Sequence, residues 1–170
     1  LPSLTLDLDA ARARAAQALL HATKDGSLRN GPKDDTYDAS LAQAAILGFP
    51  NRDVCETTMQ SIARALAVQA GGKETGFYFR YLRTDDFGRP QSSFVICSFW
   101  VVQGLARLGR MAEAQQIMAQ VLTGANHLGL FSEHFVPETR TQLGNFPQAY
   151  SHVGLINAAF AVSPSWTTVL

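Results

Sequence analysis

Glu133 stands in a glycine-bounded loop between Phe131 and His134. A carboxylate in such a place can take a proton from water, provided a polar, hydrogen-bonded setting keeps it ionised. Tyr150 and Tyr81 are the candidate donors to it. The residue type alone fits a plain surface carboxylate equally well. Arg80, in the run Phe77-Tyr-Phe-Arg-Tyr81, offers five donors in a fixed fork, which suits a pair of neighbouring oxygens. The same guanidinium can instead pair with Asp85 or Asp86 and fix its own loop. Asp38, after Tyr37 at the mouth of a helical pattern, either caps that helix or lines a pocket. His127, His134 and His152 with Glu133 have the chemistry of metal ligands, but their spacing matches no tight pattern such as HExxH. Neither a metal nor a cofactor is expected. Phe99 and Trp100 offer flat faces, yet they sit in a run that is apolar all round and read as core. Asp86-Phe-Gly88 has the letters of a kinase triplet without its companion glycine-rich and catalytic-loop motifs.

Six helical patterns must position these residues. They cover 9–23, 37–47, 53–70, 93–108, 111–124 and 147–162, and no series of strands is legible. Glycines punctuate them at Gly26, Gly48, Gly71-Gly72 and Gly109. Asp34 to Thr36 are cap candidates for the second, Asp53 with Glu56 matches a capping box for the third, and Pro147 opens the sixth. The fourth (Phe94, Val95, Ile96, Phe99, Trp100, Val101, Val102, Leu105) is apolar all round and belongs inside. The fifth has one apolar stripe at Met111, Ala114, Ile117, Met118 and Val121, as a surface helix has. The second and sixth are mostly apolar, the first and third more amphipathic, so outer and inner helices alternate. Inner-to-outer links are short (48–52 and 109–110), and outer-to-inner links are long (24–36, 71–92 and 125–146). In antiparallel hairpins the three long links share one face, and long loops in compact domains are usually functional. The pattern predicts an all-α chain, three helical hairpins of an (α/α)6 toroid. Such a half-ring leaves inner-helix surface uncovered.

The bulk numbers agree. The 170 residues suffice for one domain with a sizeable core, and the formal net charge is +0. A nucleic-acid binder shows a basic face, so that class is set aside. Charged residues are 16%, against about 25% in ordinary soluble domains. That low share fits helices packed on more than one side. The 2 cysteines, Cys55 and Cys97, lie in helical patterns and read as buried thiols. The longest apolar run, Phe94 to Val102, is too short to cross a bilayer. No leader pattern opens the chain at Leu1, and a cytoplasmic location is expected. The competing class is a non-catalytic helical-repeat scaffold or partner-binding domain, suggested by the hairpin Leu105-Ala-Arg-Leu-Gly-Arg-Met-Ala-Glu-Ala114. Against it, inner-helix starts at Tyr37, Ser93 and Pro147 lie too far apart for a 34-residue repeat.

Several runs resemble one enzyme family. Phe131-Ser132-Glu133, Gly144-Asn-Phe-Pro-Gln-Ala-Tyr-Ser-His152 and Leu155-Ile-Asn-Ala-Ala159 resemble the end of the catalytic domain of glycoside hydrolase family 15. That family holds glucoamylases, glucodextranases and some bacterial trehalases. Thr36-Tyr-Asp-Ala-Ser-Leu41, Asp85-Asp-Phe-Gly88, Ser93-Phe-Val-Ile-Cys-Ser-Phe-Trp100 and Gly104-Leu-Ala-Arg-Leu-Gly109 are similar to its bacterial branch. The resemblance implies hydrolysis of an α-glucoside or α-glucan with inversion, by two carboxyl groups roughly 6.5–9.5 Å apart. It makes Glu133 the general base, and places Arg80 with Tyr81, Asp38 and His134 on the sugar. Glu138 and Glu74 lack the surroundings of the general acid, which is therefore expected upstream of Leu1. The chain would be the C-terminal half of the toroid, partnered by the N-terminal half or by another copy, and inactive alone. A small glucoside such as trehalose or maltose is the expected substrate, rather than long starch chains.

Overall fold

The computed structural model describes residues 7–165. Helix α1 (Leu8–His21) begins where the Asp7 carboxylate accepts the Ala10 N–H, and it ends into a two-residue hairpin. That hairpin, β1 (Thr23–Lys24) with β2 (Ser27–Leu28), turns through Asp25 and Gly26, both at positive φ. Asp-Gly with two left-handed residues is a tight turn that matches the strand twist. A 3-10 turn (Ala39–Ala42) leads into the short α2 (Gln43–Ile46). Asp38, not the 34–36 segment, caps it: its carboxylate accepts the Ser40 N–H at 2.8 Å.

Helix α3 (Arg52–Leu66) is capped by Asn51, whose side chain accepts from the Val54 N–H at 3.1 Å. The expected capping box at Asp53 and Glu56 is therefore displaced by two residues. The helix also ends four residues early. Ala67–Ala70 forms β3 and pairs antiparallel with β4 (Lys73–Tyr78). Gly71 (φ 55) and Gly72 (φ 74) supply the left-handed pair of a hairpin turn. Three small sheets among the described residues correct the all-α expectation. The third joins β5 (Ser93–Phe94), β6 (His134–Val136) and β7 (Thr141–Leu143) in the order β5-β6-β7.

Helix α4 (Val95–Arg107) is the centre of the core, as its pattern requires. Ten of its residues are buried, including Phe99, Val101 and Val102. Helix α5 (Met111–Leu122) buries only Ala114, Met118 and Val121. Helix α6 (Ala149–Val162) starts two residues after Pro147: Gln148 keeps an extended backbone (φ -95, ψ 113) as the cap, and its N–H donates to the Phe131 carbonyl (2.9 Å). It lies against α4 through Ser151, Gly154 and Ala158. The approach is close: a Cβ on Gly154 would stand 2.4 Å from Ile96 Cδ1 and 3.1 Å from Phe99 Cβ. The other side of α6 is exposed at Tyr150, Val153 and Ile156. Helix α1 buries no residue, and an apolar cleft of about 590 Å³ separates it from α2. No helix among the described residues is long and apolar enough to cross a membrane. Cys55 and Cys97 are free and buried.

Candidate functional site

The third sheet carries the loop of Glu133 to the N-terminus of the core helix. Phe94 pairs with His134, Ser93 with Phe135, and the Ser93 hydroxyl donates to the Phe135 carbonyl at 2.6 Å. The Val95 N–H, first in α4, then donates to the Glu133 carbonyl at 3.0 Å. On its other side the Glu133 N–H donates to the Asn145 carbonyl, also at 3.0 Å. The carboxylate does not meet Tyr150 or Tyr81. Its Oε2 accepts from the Asn145 backbone N–H (3.2 Å) and from Asn145 Nδ2 (3.1 Å). Neighbouring Ser132 is buried: its hydroxyl donates to the His134 carbonyl, and its carbonyl accepts from Ser151 of α6 at 2.8 Å.

Arg80 arrives by a separate route, just after β4. Its carbonyl accepts the Ala39 N–H at 2.8 Å. Its Nε donates to Asp38 Oδ1 (3.3 Å) and Oδ2 (3.2 Å). The partner is thus Asp38, 42 residues away in sequence, and neither Asp85 nor Asp86. Asp38 itself is only 3% exposed. It caps the 3-10 turn and holds Arg80 with the same carboxylate, and it is not itself among the residues that line the cleft. Because the ion pair runs through Nε, the terminal NH₂ groups of the half-exposed Arg80 are not consumed by it.

Tyr81 donates its hydroxyl to Asp85 Oδ2 at 2.6 Å, and Arg83 covers its ring at 4.3 Å. That bond raises the phenol pKa. It also lowers the Asp85 pKa, with help from the Phe87 N–H on Oδ1. The resulting turn holds Phe87 at its tip, 99% exposed. His134 stacks on Phe94, ring centroids 5.0 Å apart. Its Nδ1 lies 3.1 Å from the Ser93 carbonyl and 3.3 Å from the Ser92 hydroxyl. A carbonyl can only accept, so Nδ1 carries the proton and the lone pair of a neutral ring falls on Nε2.

Arg80, Tyr81, Asp85, Phe87, Glu133 and His134 line one cleft of about 510 Å³. Two of the three long loops therefore meet, and Asp38 ties the end of the first to them. The histidines do not gather. His152 Nε2 accepts the Phe131 N–H at 3.2 Å, its ring edge-on to Phe131. Among the described residues no group of three His, Cys, Asp or Glu side chains is placed to hold a metal. Sequence reasoning left out Asn145 and Gly144, the residues that touch the Glu133 carboxylate. Their letters lie in the Gly144-Asn-Phe-Pro147 run, but nothing local says which side chain they face.

With this geometry in view, similarity to known proteins has a place to fall. Residues 109–160, from the start of α5 through Glu133 to α6, match the profile of glycosyl hydrolases family 15. A trehalase of Mycolicibacterium smegmatis is 37% identical over 142 residues, 82% of this chain and 21% of that protein. A trehalase of Thermoplasma volcanium is 37% identical over 125 residues, 72% of this chain and 19% of its own length. One from Mycobacterium tuberculosis is 35% identical over 134 residues, covering 76% and 19%. The chain thus spans about a fifth of the length of these relatives. Among solved structures, a wild-type glycosidase superposes with a TM-score of 0.72 at 21% identity, over 91% of this chain and 43% of that one. A variant glycosidase in complex with glucose superposes equally well, at 20% identity. The chain is thus similar in fold to a little under half of that glycosidase.

Proposed function

Taking the chain as a family 15-like segment, we propose that it is the C-terminal half of an (α/α)6 catalytic domain that hydrolyses α-glucosides with inversion. Glu133 is its general base. The observation that carries this reading is the convergence of Glu133, Arg80, Tyr81 and His134 on one cleft, from loops more than 40 residues apart. A carboxylate, a forked cation and aromatic edges around a cavity of this size fit a hydrated sugar ring.

The reaction runs as follows. A water held between Glu133 and the anomeric carbon gives its proton to the carboxylate as its oxygen attacks. The glycosidic C–O bond breaks on the opposite face, and the leaving oxygen takes a proton from a carboxylic acid. That acid comes from outside residues 1–170. The two groups stand roughly 6.5–9.5 Å apart, leaving room for the water. Arg80, held by Asp38, directs its terminal N–H groups at the hydroxyls of the glucose being cleaved, and His134 Nε2 faces the same ring. Trehalose is the proposed substrate, supported by the trehalases to which the chain is similar. The missing half of the ring, or a second copy, covers the exposed side of α6.

Glu133→Gln in the full-length enzyme keeps the shape of the side chain and removes the base. Turnover of trehalose should fall at least about 100-fold, the usual scale for a lost acid–base group, while glucose binding and folding persist. Wild-type turnover by that variant removes Glu133 from the mechanism. It would favour a scaffold that binds sugar or protein without chemistry.

A further inference from the structure

We infer that Asn145 is a positioning residue for Glu133: it fixes which carboxylate oxygen acts as the base. The inference rests on the reading of Glu133 as the base. Both described hydrogen bonds to the carboxylate end on Oε2, and both come from this one residue, the backbone N–H at 3.2 Å and the side-chain amide at 3.1 Å. The Glu133 N–H answers with a bond to the Asn145 carbonyl at 3.0 Å. Three bonds therefore lock two residues that lie 12 apart in sequence.

The residue before it completes the seat. Gly144 has φ +77, and a Cβ there would stand 2.7 Å from Glu133 Oε2 and 3.0 Å from Glu133 Cβ. Only a residue without a side chain lets the carboxylate settle against this backbone, so Gly144 and Asn145 form a concave cradle for one oxygen. With Oε2 supplied by two donors, an attacking water is directed to Oε1. An ionised carboxylate can accept at both oxygens, so without the cradle the water has two equivalent docking positions and the side chain can rotate between them. Base catalysis depends on holding the acceptor within hydrogen-bond reach of the reacting water, and misplacement by about 1 Å can cost about 100-fold. Asn145 is exposed, so its side chain is not required by core packing.

The test is kinetic, in the full-length enzyme with trehalose as the probe. Asn145→Ala, and the isosteric Asn145→Asp as a second variant, should each lower kcat by about 10- to 100-fold with KM unchanged within about twofold. With Glu133→Gln already in place, Asn145→Ala should cost nothing further, because a residue acting through Glu133 has nothing left to position. Wild-type kcat in both variants overturns the assignment. So does a loss in the double variant as large as in the single one, the mark of a structural role. If Glu133→Gln is itself fully active, the base reading falls and takes this inference with it. If Glu133→Gln is inactive while Asn145→Ala is fully active, only the role of Asn145 falls.

Discussion

Helices α4 and α6 have nearly the same composition and opposite surroundings. Each is rich in apolar residues, and α6 has no charged side chain at all. Helix α4 buries ten residues, on every side. Helix α6 buries three, all small, and turns Val153 and Ile156 to solvent, the latter 54% exposed. A charge-free helix whose exposed residues are mostly apolar, Val153, Ile156 and Phe160 beside Tyr150 and Asn157, is normal against more protein and unusual against water. The difference teaches that apolar composition alone does not decide burial: the same kind of helix is enclosed in one place and open on one side in another.

The largest effect expected from this contrast is a truncation made on each helix in turn. In the 170-residue chain, Phe99→Ala in α4 should cost about 3–5 kcal/mol of unfolding free energy, from lost burial and the cavity left behind. Ile156→Ala on the open side of α6 should stay within about 0.5 kcal/mol. Urea unfolding of both variants checks this, and equal losses would break the comparison. The seam between the helices comes next. Gly154→Val drives atoms into Ile96 and Phe99, where even a Cβ is too close, and should cost about 1–3 kcal/mol. A thermal melt unchanged by that variant would mean that α6 does not hold its place on α4.

The smallest expected effect is confined to alkaline pH, on the well-packed side. Tyr78 is 3% exposed, and burial pushes its phenol up from 10.0 to about 12. The neutral form is thus favoured by the fold. Its contribution is complete below pH 10 and is lost as pH rises through about 12, since the unfolded chain ionises first. Tyr78→Phe should flatten the fall in stability between those limits, followed by denaturant midpoints at stepped pH. An unchanged slope would assign the alkaline limb to other groups.

Much of the helical frame was legible because long apolar runs and glycine stops are strong signals. Helix α4 and helix α5 fall within two residues of their predicted ends. The sheets were not, since strands of two to six residues are too short to show a period of two. Ala67–Ala70 read as a continuing helix because alanine and glutamine favour one; the Gly71-Gly72 turn overrides that preference by pairing the segment with β4. Glu133, Arg80, Tyr81 and His134, singled out by their loops and the family resemblance, line one cleft. Their partners were not legible. Asp85 and Asp86 lay near Arg80 in sequence, yet Asp38 holds it, and an asparagine took the place expected of a tyrosine at Glu133. Pairings across 12 or 42 residues depend on how loops fold back, which no local pattern encodes.

The main-chain ties on either side of Glu133 bear on how freely the neighbouring loop can change. Val95 N–H to the Glu133 carbonyl and Glu133 N–H to the Asn145 carbonyl involve no side chain. Neither do the β6–β7 pairings that lead to the exposed tip at Glu138, Thr139 and Arg140. Residues at that tip can be exchanged, inserted or randomised in a library while the backbone frame of the carboxylate stays put. On the proposed reading, the rim beside the carboxylate can be altered by sequence while its backbone frame is held by main-chain bonds alone.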